Sequence, residues 1–130
     1  MLRSVLSGPE CYALCLKESG RPIGTAELML AGNTDLTDRA DECELGYWLG
    51  KPYWGQGYMP EAAAELLRHA FEELGIRAVW CGYHAGNDQS RRVQEKLGFA
   101  FHHDRPVQVL GRPTTGRVNL LTREQWLARR

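Results

Sequence analysis

The feature that most constrains this chain is a junction broken by two glycines, Trp54-Gly55-Gln56-Gly57-Tyr58-Met59-Pro60-Glu61-Ala62. The run Glu42–Leu49 (ECELGYWL) before it reads as a strand. The run 61–74 after it reads as a helix: Ala63, Leu67, Ala70 and Leu74 fall at steps of four, three and four, and Leu66 and Phe71 widen the stripe. Glycines at such a junction let the backbone approach a ligand closely. The helix start beyond them offers unpaired N–H groups and the positive end of the helix dipole. The expected ligand is an anion, phosphate or pyrophosphate.

The chain on either side supplies a sheet. Residues 10–17 and Pro22–Leu30 read as strands joined by the turn Glu18-Ser19-Gly20-Arg21, an antiparallel hairpin. Residues 31–41 are polar and read as a loop. Gly46 within the third strand marks a bulge or a close approach, and Pro52 ends the pairing. Pro60 suits the start of the helix and Gly75 its end. Residues 76–83 (IRAVWCGY) then form a buried strand, and strand, crossover helix and strand imply a parallel or mixed region. Asn87 suits the N-cap of a second helix with Val93 and Leu97 inward, and Gly98-Phe99 closes it. Residues 99–103 and 116–121 read as two last strands joined by a long Pro- and Gly-containing loop, and Thr122 begins a short C-terminal helix.

Composition narrows the function. The 130 residues suit one domain with a real core; 43% are hydrophobic and 25% charged. Lys plus Arg and Asp plus Glu are both 16, so no net charge recruits nucleic acid or an anionic membrane. No apolar run reaches the ~20 residues of a membrane span, and no signal peptide is evident, so a cytoplasmic protein is expected. Cys11, Cys15, Cys43 and Cys81 form neither a C-x-x-C pair nor a zinc-spaced cluster. They read as free thiols, with no metal expected. A P-loop lacks its Gly-Lys-Ser/Thr, and a dinucleotide fold lacks its third glycine and ribose-binding acid.

Three blocks carry a resemblance: Glu44-Leu45-Gly46-Tyr47-Trp48-Leu49, the glycine junction from Trp54 to Ala62, and Asn87-x-x-Ser90 with Glu95-Lys96-Leu97-Gly98-Phe99. In order and spacing the chain resembles the GNAT superfamily of acyl-CoA N-acyltransferases, and within it the RimJ/RimL-like branch that acetylates ribosomal-protein N-termini. Met59 departs from the Gly/Ala usual at the end of the phosphate-loop pattern. The resemblance implies an α/β (α+β) fold: a central mixed, mostly antiparallel sheet with a V-shaped split between the strands 42–49 and 76–83, and helices on both faces. The chain starts almost at the hairpin, so the fold's usual first strand and helix pair are expected to be missing. The acceptor wall is then open, truncated, or supplied by a second copy, and a homodimer is among the expected partners.

The same resemblance implies acetyl-CoA as co-substrate and a primary amine, on a protein N-terminus or a small molecule, as acceptor. Pyrophosphate would sit on the N–H groups from Gln56 through Gly57 and Tyr58 to Met59. The pantetheine arm would lie in the split, held by Asn87, with a backbone N–H near Trp48 or Leu49 on the thioester oxygen. Glu44 would be the general base through a water, and Ser90 or Tyr83 the partner of the departing sulfur. The rival reading is an acyl-CoA-binding, dimerising relative without efficient turnover.

Overall fold

The computed structural model describes residues 2–8 and 10–129, with side chains from Glu10 onward. The described strands form one sheet: β1 (Leu2–Gly8), β2 (Cys11–Leu16), β3 (Pro22–Leu30), β4 (Glu42–Leu49), β5 (Ala78–His84), β6 (Ala100–Val109) and β7 (Arg112–Thr122). Their spatial order is β1-β2-β3-β4-β5-β7-β6. Only β4 and β5 run parallel; the other neighbours are antiparallel. The crossover between the parallel strands is helix α1 (Tyr58–Arg68), which continues as a π-type turn (His69–Glu73). Helix α2 (Asp88–Leu97) joins β5 to β6, and α3 (Arg123–Ala128) follows β7.

The strands β3 and β4 keep the boundaries read from the sequence. Gly46 makes a close approach rather than a bulge. The β3–β4 register runs without a shift, and a Cβ there would lie 2.7 Å from the Met29 Cε. Two expectations are corrected. A first strand is present: β1 pairs with β2 from Leu2↔Leu16 to Gly8↔Cys11. Only positions 9 and 10 separate the two, so no helix pair lies between them. Leu2, Val5 and Leu6 do not alternate cleanly, which hid the strand. The long loop expected after residue 103 is instead a hairpin, closed by Leu110 and Gly111 at φ 52° and 77°, the two positive values of a tight I′-type turn. Its prolines are tolerated because Pro106 lies on the outermost strand and Pro113 lies where β7 has run past β5.

The helices expected on both faces pack on one. Along β4 the buried Cys43, Leu45 and Leu49 share a face. That face meets Met59, Ala63, Leu66, Leu67 and Ala70 of α1 and its extension, and Val93 of α2. Trp126 of α3 reaches the same cluster through the Phe71 ring, 5.3 Å between centroids. The opposite face, carrying Glu27, Glu44, Gly46, Trp48, Trp80 and Gly82, has no described helix against it.

Parallel pairing of β4 with β5 is confined to Glu42↔Ala78, Cys43↔Val79 and Glu44↔Trp80. Beyond Glu44 the strands diverge, giving the expected V-shaped split. Helix α2 closes one side of that split, and its ends are well made. Asn87 Oδ1 accepts from the Ser90 N–H at 3.2 Å. At the other end Gly98 (φ 98°) donates to the Glu95 carbonyl and Phe99 to the Gln94 carbonyl, a Schellman cap. A Gly98→Ala chain is expected to lose about 1–2 kcal/mol of stability from the left-handed backbone, and more because the new Cβ displaces the Arg129 side chain, read as a lower urea midpoint at unchanged slope. A midpoint equal to wild type would show that the cap does not depend on glycine.

Candidate active site

The split is a cavity of about 540 Å³, and it gathers residues distant in sequence. Glu44 and Tyr47 come from β4, Gly82, Tyr83 and His84 from β5, Asn87 and Ser90 from α2, and Arg105 from β6. Four of the expected site residues, Glu44, Tyr83, Asn87 and Ser90, therefore line one space. Glu44 stands on the strand just where pairing with β5 ends, and its Oε1 accepts from Thr34 Oγ1 at 2.5 Å. Burial raises its carboxyl above the ordinary value. The Thr34 hydrogen bond and the Arg105 charge oppose that rise, and Asp35 and Glu27 add to it.

Ser90 is 6% exposed, and its Oγ is 2.5 Å from the Tyr47 hydroxyl. Tyr83 shares the wall but makes no described hydrogen bond to Ser90. Asn87 spends its Oδ1 on the helix cap, leaving its amide nitrogen without a described protein partner. Thr34, Tyr47, Gln94 and Arg105 were missed by the sequence reading. The spacing 87, 90, 94 is a polar stripe on one helical face and could have signalled Gln94. No such pattern marks Arg105, whose place depends on β6 running far beyond the residues first assigned to it.

Backbone donors in the split follow from strand alternation. Gly50 N–H donates to the Ile23 carbonyl, and that register continued along β4 commits the Trp48 N–H to β3. The N–H groups of Tyr47 and Leu49 then face the split. Of the two expected positions the Leu49 N–H faces the split and the Trp48 N–H faces β3; the Trp48 side chain stands on the open face, 64% exposed.

A second hollow, about 170 Å³, sits at the start of α1. Leu49, Gly57, Tyr58 and Met59 line it, facing Arg92 and Lys96 of α2. Gly57 is the N-cap of α1 at φ 82°, and no side chain caps the helix. The first-turn N–H groups therefore stay available beside two cations. Met59 does not crowd the loop, since its side chain is 1% exposed inside the core. Gln56 folds its side-chain amide back onto the Pro52 carbonyl at 3.0 Å, leaving its backbone as the part that can serve a ligand. Trp54 Nε1 ties the loop to the Leu49 carbonyl at 2.8 Å.

Cys43 and Cys81, both buried, are poorly suited to act as nucleophiles. Burial pushes the Cys43 thiol up to about 12 and raises Cys81 as well. Among the described residues no helix is long and apolar enough to cross a membrane.

A family model described as an acetyltransferase (GNAT) domain matches residues 3–100. The candidate ribosomal N-acetyltransferase YdaF of Bacillus subtilis is 39% identical over 67 residues, 52% of this chain and 36% of that protein. The FsC-acetyl coenzyme A-N(2)-transacetylase of Aspergillus fumigatus is 36% identical over 96 residues, 68% of this chain and 40% of that protein. The chain thus spans well under half the length of these two relatives. Among solved structures, the ribosomal-protein-S5-alanine acetyltransferase of Vibrio fischeri superposes with a TM-score of 0.78 at 19% identity, over 89% of this chain and 62% of that one.

Proposed function

This chain belongs to the GNAT acetyltransferases, and from that premise we propose that it moves an acetyl group from acetyl-CoA to a primary amine, on a protein N-terminus or a small molecule. The observation that carries the reading is the convergence of Glu44, Asn87 and Ser90 on a cavity that opens where β4 and β5 separate. A CoA thioester fits the residues present. A diphosphate suits the α1 start with Arg92 and Lys96, and an amide-bearing arm suits a split lined by uncommitted backbone. When bound, acetyl-CoA supplies the activated acyl carbon.

The chain's own residues then have separable tasks. Glu44, with its raised carboxyl, takes a proton from the acceptor through a water. An α-amine (pKa about 7.7–8.0) needs that help less than a lysine amine (about 10.4). A split-facing N–H, from Leu49 or Tyr47, steadies the carbonyl oxygen as charge develops. The thioester C–S bond breaks as the C–N bond forms, one amine proton passing to Glu44 and the sulfur leaving as a thiolate. Ser90 Oγ–H donates a hydrogen bond to that sulfur. The names of the two relatives, one a ribosomal N-acetyltransferase and the other a transacetylase acting at N(2) with acetyl coenzyme A, support acetyl transfer to nitrogen.

Calorimetric titration with acetyl-CoA, desulfo-CoA and ADP tests the reading. Micromolar binding with part retained by ADP is expected, followed by thiol release with an amine acceptor. Folded protein that binds none of the three would overturn it. Tight binding without thiol release for any amine would favour the binding-only relative.

A further inference from the structure

Gln94 is fully buried, and its amide is oriented from both ends. Its Oε1 accepts from Asn119 Nδ2 at 2.7 Å, and its Nε2 donates at 3.1 Å to the Gly82 carbonyl, which can only accept. The same Nε2 lies 3.0 Å from the Tyr47 hydroxyl and 3.3 Å from Ser90 Oγ. Neither hydroxyl can therefore aim its proton at Gln94. The Tyr47–Ser90 contact at 2.5 Å holds one proton between two oxygens. The other acceptor within reach of Tyr47, the Ser90 carbonyl, is at 3.3 Å and sits within the hydrogen-bonded helix.

We propose that Tyr47 donates to Ser90 Oγ, and that Tyr47 and Gln94 are positioning residues which leave the Ser90 proton directed into the split, at the sulfur of the departing thiolate. The inference rests on the acetyltransferase reading and adds the residues that act behind Ser90. Tyr47 suits a fixed donor rather than a proton source, because burial raises its phenol well above the ordinary value. A chain of donors each feeding the next also polarises the last hydroxyl, strengthening its bond to an anion.

The test uses Tyr47→Phe, Gln94→Met and Ser90→Ala beside wild type, each checked for folding by thermal melting. CoA and desulfo-CoA are titrated calorimetrically above pH 8.5, where the thiol ionises. Wild type is expected to prefer CoA by about tenfold, the scale of one charge-assisted hydrogen bond. All three variants should lose that preference while their desulfo-CoA affinity changes by less than about twofold. In turnover, kcat should fall about tenfold with KM for acetyl-CoA nearly constant. Should Gln94→Met fail to fold, Tyr47→Phe decides alone, since it keeps the ring. A folded Tyr47→Phe that retains both the CoA preference and kcat overturns the relay. Wild type that binds neither nucleotide removes the acetyltransferase reading, and the relay with it.

Discussion

Glu44→Gln is expected to lower kcat/KM by about a hundredfold to ten-thousandfold, the range of a positioned general base. The pH profile should identify the cause. A base works only when ionised, and burial raises Glu44 above the usual carboxylate value, so the acid limb of the wild-type profile should be displaced upward from that of an ordinary glutamate. In Glu44→Gln that limb should vanish. Stability should move the other way. A group whose folded pKa is raised contributes stability that is present below its unfolded pKa and lost as pH rises through the folded value. The general-base role needs the ionised form, and the burial that raises the carboxyl disfavours that form in the folded state. The glutamine variant should melt at an equal or higher temperature. Loss of activity with loss of melting temperature would point to a structural role, and unchanged activity would remove Glu44 as the base.

The second large effect is expected at Gly57. The residue is the N-cap of α1 at φ 82°, and a Cβ there would meet nothing within 4 Å. A Gly57→Val substitution is thus opposed by backbone conformation alone, at about 1–2 kcal/mol. The cheapest relief is rotation of the loop away from the left-handed region, which turns the first N–H groups of α1 away from Arg92 and Lys96. Affinity for acetyl-CoA and for ADP should fall together, by about tenfold or more, while the melting temperature drops modestly. Equal affinity for both ligands in Gly57→Val would mean that the diphosphate is held elsewhere. Loss for acetyl-CoA alone would place the damage in the split instead.

The parts of this molecule legible in sequence were those set by local chemistry. The Asn87 cap and the Gly98-Phe99 closure each depend on residues within a few positions of one another, and each stands as read. The pattern of β4 gave its boundaries because one face is buried and the other is not. The parts that escaped depend on neighbours in space. Pro106 looked like a strand breaker until its strand proved to be the outermost one. Arg105 could not be assigned to the cavity before β6 was known to extend past it. Tyr47 reads as one more apolar-face residue of β4, and only the approach of α2 puts Ser90 and Gln94 against its hydroxyl. One-sided helix packing was equally hidden, since a strand's alternation says which face is buried but not which elements bury it.

The brief pairing of β4 with β5 has a further consequence. In most sheets the central strands commit all their backbone groups to neighbours, and solvent exchange is slowest there. Here three residue pairs join a β1–β4 block to a β5–β7 block, and the outer half of β4 keeps the donors of Tyr47 and Leu49 uncommitted. The middle of the sheet is thus its least self-sufficient region. Any occupant of the split that supplies amide groups completes the hydrogen bonding between two blocks otherwise held mainly by the helical layer, and so fastens the protein as well as being held by it.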